Sequence, residues 1–258
     1  MRFDEDSPVS GTVRAFSRMP MAGMCDTCHA GCCRGYNLLI TAFDALRISR
    51  DLSLPVGEFS TLLSFSAEQS KRFENSFTPI KLNDPGCSEK RYFLALRRIE
   101  SKQFPGTVKC YFLNEWMREH DAPNREGHTG KRVIGRCSIY GSRPMMCRTY
   151  PTSLHNETPL GFISTPRPID LADKHPIYQL CPEKWTAEAF STDPTTVLHN
   201  LAVNRFEMDF YNRAISEFNK GGHNVAEFFP FMARLYENRF RTVPQLVATP
   251  PVAVEKAE

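Results

Sequence analysis

Cys25-Asp26-Thr27-Cys28-His29-Ala30-Gly31-Cys32-Cys33-Arg34 sets four thiols in one short loop with a glycine inside it. Cys110, Cys137, Cys147 and Cys181 follow downstream and bring the set to eight of the chain's nine cysteines. A buried cysteine elsewhere serves as a small apolar side chain, but four so close together place reactive thiols side by side with no packing benefit. The cluster reads as a ligand source. Cys25 and Cys28 have the C-x2-C spacing of a metal knuckle, in which a tight turn lets two thiolates converge on one ion. Metal sites commonly join such a local pair to partners far along the chain, because the ion then closes a long loop. The expected fold is accordingly α+β: a small irregular metal-bound cysteine core with a few antiparallel strands, surrounded by helices, plus a C-terminal helical segment.

Length and composition agree with a folded chain and exclude little else. At 258 residues and 41% hydrophobic content there is material for a real core. A formal charge of +3, with basic residues scattered along the chain, does not call for nucleic acid. The charged start Met1-Arg2-Phe3-Asp4-Glu5-Asp6 lacks the apolar run of a secretory signal, and no stretch reaches the ~18 apolar residues of a membrane span. A soluble, cytoplasmic protein is expected, with no membrane partner. In that reducing setting an odd number of cysteines favours thiolate ligation over a disulfide framework.

Outward from the cluster, residues 1–24 read as a lead-in and 25–185 as the cysteine-bound domain. Thr41 followed by Asp44 predicts a capped helix through Asp51, burying Ala42, Ala45, Leu46, Ile48 and Leu52. Pro55, then Phe59, Leu62 and Leu63, predict a second short helix. Tyr92–Ile99 and Thr107–Leu113 flank Phe104-Pro105-Gly106 and predict an antiparallel hairpin carrying Cys110. Residues 121–131 read as an exposed loop, and Val133–Tyr140 as a third strand delivering Cys137. The proline-rich run from Cys147 to Cys181 predicts an irregular wrap. Residues 186–241 read as a helical segment packed on this domain. One helix enters at Asp193-Pro194, carries an apolar stripe of Leu198, Leu201, Ala202, Phe206, Phe210, Ile215 and Phe218, and stops at Gly221-Gly222. A further helix follows over Val225–Phe240, with Pro230 near its start or at a kink. Residues 242–258 read as a disordered tail.

Eight thiols match two four-ligand sites or one larger cluster. Adjacent side chains diverge in an extended segment, so Cys32 and Cys33 read as serving different partners, which favours two sites. Arg34, Lys109, Arg136 and Arg148 each stand beside a cysteine in sequence and Arg143 is close by, positions from which basic groups can offset thiolate charge. Cys87, between Gly86 and Ser88, breaks the pattern and reads as a spare thiol, and His29 as a solvated histidine. A thioredoxin-like role for Cys25 and Cys28 lacks its βαβ context. The chain has no G-x-S-x-G elbow, P-loop or G-x-G-x-x-G, so any catalysis must come through the metal.

The run Cys25 to Arg34, the later Cys110-Tyr111-Phe112-Leu113, the block Cys137-Ser138-Ile139-Tyr140-Gly141-Ser142-Arg143-Pro144-Met145-Met146-Cys147-Arg148, and Cys181-Pro182 together resemble the YkgJ-type cysteine-cluster family. The resemblance covers residues 25–182. It implies a zinc- or iron-chelating domain whose eight cysteines fall on Cys25, Cys28, Cys32, Cys33, Cys110, Cys137, Cys147 and Cys181. That family is similar to the cysteine-rich part of flagellin lysine N-methylases, which implies methyl transfer to protein lysine as an alternative function.

Ligand spacing alone does not choose the metal, since four thiolates suit tetrahedral zinc and iron–sulfur clusters alike. Adjacent cysteines and several basic neighbours favour iron. The expected function is a metal-binding protein holding iron, as an iron–sulfur cluster, or zinc through the eight thiolates. The alternatives are a metal-dependent protein-lysine N-methyltransferase and a structural zinc module for protein interaction. The C-terminal helices are the candidate surface for another protein.

Overall fold

The computed structural model describes residues 30–87, 90–120, 130–150, 152–153, 161–162 and 194–247. Their architecture is α+β, with helices and short two-stranded antiparallel pieces. In chain order these are α1 (Cys32–Gly35), α2 (Ala42–Leu52), α3 (Val56–Phe59), β1 (Ser60–Phe65), α4 (Ala67–Glu74), β2 (Arg91–Leu96), β3 (Arg98–Glu100), β4 (Val108–Cys110), β5 (Leu113–His120), β6 (Gly130–Cys137), α5 (Met145–Thr149), β7 (Thr152–Ser153), β8 (Gly161–Phe162), α6 (Pro194–Lys220) and α7 (Val225–Val247).

Helix α2 starts as its sequence predicts, the Thr41 hydroxyl accepting from the Asp44 amide at 3.2 Å. Ala42, Ala45 and Ile48 are buried, while Leu46 and Leu52 are half-buried. The expected second helix is a single turn, α3. Leu62 and Leu63 lie instead in β1, which pairs with β2. Phe59, Leu62 and Leu63 span too few residues for their spacing to separate helix from strand, and the partner strand decides. The hairpin around Gly106, whose φ is +78°, forms only over β3 and β4, with Arg98 opposite Cys110 and Glu100 opposite Val108. Leu113 opens a separate strand, β5, whose ladder with β6 sets Leu113 opposite Cys137 and His120 opposite Gly130. The strand delivering Cys137 therefore runs Gly130–Cys137 and not to Tyr140, which begins a 3-10 turn. Within the proline-rich run, β7 and β8 form a two-residue ladder where no regular element was expected.

Helix α6 ends at Lys220 as expected, with Gly222 at φ +62°. Its buried face departs from the predicted stripe. Val197, Leu201, Tyr211, Ala214, Ile215 and Phe218 are buried, whereas Ala202 is exposed and Phe206 is 60% exposed. Helix α7 runs seven residues past the predicted Phe240, so Thr242–Val247 is helical and not part of a disordered tail. Residues 248–258 and the lead-in 1–24 lie outside the described residues. Among those described, no helix is long and apolar enough to cross a membrane.

The chain divides into two compact units, Met1–Leu63 with Leu94–Glu207 and Ser64–Phe93 with Met208–Glu258. The first buries Ile40, Ile48, Phe59, Leu94, Phe112 and Ile139, with the Phe59 and Phe112 rings 5.4 Å apart. The second is held by aromatics and by a polar strap. Phe65, Phe73 and Phe93 form a triangle with centroids 5.1–5.7 Å apart. Asn212 accepts from the Thr78 amide at 2.8 Å and donates to the Ser76 carbonyl at 2.9 Å. Asn219, two turns on, repeats this with the Lys81 amide at 2.8 Å and the Pro79 carbonyl at 2.9 Å. Each side-chain amide thus satisfies one donor and one acceptor of an irregular segment that meets β2 at the Ile80–Tyr92 bridge.

Candidate metal centre

Five of the eight predicted ligands lie among the described residues, all in the first unit. Cys32 and Cys33 occupy α1, Cys110 ends β4, Cys137 ends β6, and Cys147 lies within α5. Each is half-buried. Cys25, Cys28 and Cys181 lie outside the described residues, as does His29.

The adjacent cysteines are in a helical turn and not in the extended segment expected of them. Their thiols hydrogen-bond one another. That bond works to lower the Cys33 pKa, but burial and the neighbouring Cys110, Cys147 and Cys137 outweigh it and leave Cys33 above its ordinary value. Burial and then Cys137 push Cys110 up to about 12, against the Phe112 amide and the Arg98 charge. Burial drives Cys137 up to about 11, with the Ile139 amide and Arg143 opposing and Cys32 adding. Cys147 rises well above its ordinary value through burial, then Cys137, Cys110 and Cys32. The five thiols therefore stand within electrostatic reach of one another, and burial and like charge oppose ionisation of Cys33, Cys110, Cys137 and Cys147.

Their donor chemistry suits a thiophilic ion: all five are sulfur, the ligand type that selects zinc and iron–sulfur clusters. Among the described residues, no three His, Cys, Asp or Glu side chains converge as closely as an ion requires.

The cationic surroundings differ from those expected from adjacency. Consecutive side chains of a strand point to opposite faces, so Lys109 and Arg136 face away from Cys110 and Cys137. Lys109 and Arg34 pair with Glu115, Arg136 lies over the Trp116 ring at 5.9 Å, and Arg148 donates to the carbonyls of Arg143 and Gly141. The cations that bear on the thiols are Arg143, acting on Cys137 and Cys147, and Arg98, acting on Cys110 from the position opposite it in the ladder. Arg143 stacks on Tyr140 at 3.7 Å and donates to its carbonyl at 3.2 Å.

Two buried acids brace these segments: Asp44, which the sequence marks only as part of a helix start, and Glu115, which it does not mark. Asp44 is 1% exposed and accepts from the Met145 amide at 3.1 Å and from Arg47 at 3.2 Å, while Arg47 also donates to the Arg143 carbonyl at 2.7 Å. Helix α2 thereby grips the turn that leads into Cys147. Glu115, with its side chain 2% exposed, pairs with Arg34 and with Lys109. The signal for Glu115 was its position two residues from Leu113, on the same inward face of a strand. Cys87 belongs to the second unit, where the Tyr92 hydroxyl donates to its sulfur at 3.0 Å. Compared with protein-family models, with curated proteins and with solved structures, the chain finds no match in any of the three.

Proposed function

We propose that this protein holds a metal, iron as an iron–sulfur cluster in preference to zinc, through the thiolates of Cys25, Cys28, Cys32, Cys33, Cys110, Cys137, Cys147 and Cys181. The observation that carries the reading is the gathering of five half-buried thiols from α1, β4, β6 and α5 into mutual electrostatic reach. Such a group is unfavourable as bare thiolates, because burial and like charge both oppose ionisation. A bound cation reverses the sign of that interaction and deprotonates coordinating thiols outright. The resemblance of residues 25–182 to a metal-chelating family points the same way.

Iron is preferred because Cys32 and Cys33 share one helical turn and one hydrogen bond, an arrangement suited to neighbouring atoms of a polynuclear centre. Arg98 and Arg143 supply fixed positive charge beside a group whose own charge would change on reduction. The resident metal supplies either redox chemistry, if iron, or a structural crosslink, if zinc. The chain itself supplies the sulfur donors and the braces that position them.

Elemental analysis of untagged protein purified without oxygen tests this. Several iron atoms per chain are expected. One or two zinc ions with no iron would replace the cluster by a structural zinc module, and a chain free of both metals would overturn the proposal.

A further inference from the structure

Glu115 lies at the meeting point of the cysteine-bearing segments without being a ligand. Its Oε1 accepts from the Ser101 hydroxyl at 2.6 Å, from Lys109 Nζ at 3.1 Å and from the Gln103 amide at 3.4 Å, and its Oε2 accepts from the Arg34 guanidinium. Arg34 directly follows Cys33 and is 0% exposed, and Lys109 directly precedes Cys110. The backbone closes the same connection a second time, since the Arg34 carbonyl accepts from Arg98, the residue opposite Cys110 in the β3–β4 ladder. Glu115 itself lies two residues along β5 from Leu113, which stands opposite Cys137.

Resting on the metal reading above, we infer that Glu115 is a positioning residue of the metal centre: it ties α1, which carries Cys32 and Cys33, to β4, which carries Cys110. A side chain on a strand faces away from its sequence neighbour, so the grip on Lys109 holds β4 from the side opposite Cys110 and leaves the thiol free for a ligand role. The grip on Arg34 fixes the turn immediately after Cys33. Glu115 thus sets the separation of thiols that come from stretches nearly eighty residues apart (110 − 33 = 77). Residues of this kind orient the ligands proper, and their loss costs about 10–100-fold in metal affinity.

The test uses the full chain stripped of metal and reloaded with cobalt(II) under anaerobic conditions, reading the thiolate-to-cobalt charge-transfer band per bound cobalt and the dissociation constant. Glu115→Gln keeps the shape and removes the charge. It is expected to bind cobalt about 10–100-fold more weakly, with a weaker charge-transfer band, and Glu115→Asp is expected to recover part of both. A folded Glu115→Gln chain with the wild-type spectrum and affinity would overturn the inference and leave the metal reading standing. If that variant does not fold, Lys109→Met decides by the same two readouts, because it removes one ion pair and keeps the Arg34–Glu115 pair; a wild-type spectrum and affinity in Lys109→Met overturns the inference. Wild-type protein that takes up no cobalt overturns the metal reading itself, and this inference with it.

Discussion

Replacing Asp44 by alanine removes the contact through which α2 holds the turn before Cys147. Met145 is 5% exposed, and its amide donates to Asp44 Oδ1 at 3.1 Å. Leaving that buried N–H without an acceptor costs about 1–3 kcal/mol. Arg47 also loses its carboxylate partner at 3.2 Å, but it retains the Arg143 carbonyl at 2.7 Å and Asp51 at 4.0 Å. Its share is therefore on the scale of a solvent-exposed pair, up to about 1 kcal/mol, and not the 3–5 kcal/mol or so of a charge left wholly alone. The total for Asp44→Ala is about 1–4 kcal/mol. Asp44→Asn keeps an oxygen for the Met145 amide and is expected to stay within about 1 kcal/mol of wild type at neutral pH. The two variants also differ in pH dependence. Burial raises the Asp44 carboxyl above its ordinary value, against the Arg47 charge and the bonds from Met145, Arg47 and Thr41. Between the unfolded and the raised folded value the native state binds more protons than the unfolded chain, so the Asp44 contribution is fully present below that window. It declines as pH rises through it and is flat above. Wild-type stability measured against Asp44→Asn by urea unfolding should therefore fall as the pH climbs out of the ordinary carboxylate range. An Asp44→Ala chain within about 0.5 kcal/mol of wild type, or a difference from Asp44→Asn that does not move with pH, would refute the reasoning.

Two further outcomes are expected. Asn212→Ala and Asn219→Ala each remove two hydrogen bonds to the strap at Ser76–Lys81 and should cost about 1–3 kcal/mol apiece by chemical unfolding. The two sites stand about 10 Å apart on one helix, so the double variant should be additive to within about 0.5 kcal/mol, and strong coupling would show that the strap detaches as one piece. Metal uptake by the stripped chain should release about one proton per coordinating thiol at neutral pH, because Cys110 and Cys137 are pushed up to about 12 and about 11 and are protonated there. Titration calorimetry in buffers of different ionisation enthalpy counts those protons, and a count near zero would contradict the assignment of these thiols as ligands.

The elements whose signals are local were legible in the sequence. Thr41 and Asp44 announced α2, and the glycines after Lys220 announced the end of α6. Helix α4 carries an equally local sign, the capping box of Ser66 and Gln69. Where an apolar run is short, periodicity cannot choose, and Leu62 and Leu63 took the structure their strand partner required. In α6 the buried face is set by what packs against it, so Glu207 is 5% exposed while Phe206, one residue earlier, stands out at 60%. The candidate site divides in the same way. Which cysteines to consider was plain from spacing. Which charges surround them was not, because neighbours in a strand face apart while residues opposite in a ladder face together, and Arg98 reaches Cys110 where Lys109 does not.

Asp44 and Glu115 give a second reason why the surroundings of the thiols exceed what adjacency predicts. Each is a buried carboxylate that holds a cation and a group close in sequence to a cysteine, Glu115 through the side chains of Arg34 and Lys109 and Asp44 through the Met145 amide, yet their electrostatics run in opposite directions. At Glu115 burial raises the pKa, but the bonds from Ser101 and Arg34, the Arg34 charge and the Lys109 bond outweigh it and hold the carboxyl below its ordinary value. At Asp44 the same contest goes to burial. Ionisation of Glu115 therefore stabilises the unit, whereas ionisation of Asp44 costs it stability. A buried acid that does not stabilise by its charge must be accounted for by its geometry, and the geometry of Asp44 is specific: one oxygen meets the Met145 amide and Arg47 together, and Arg47 carries the grip back to Arg143. Those two residues bracket Pro144, immediately before the α5 turn that presents Cys147. Burial sets the energetic cost of Asp44, and the contact with Met145 and Arg47 both offsets part of that cost and places the thiol.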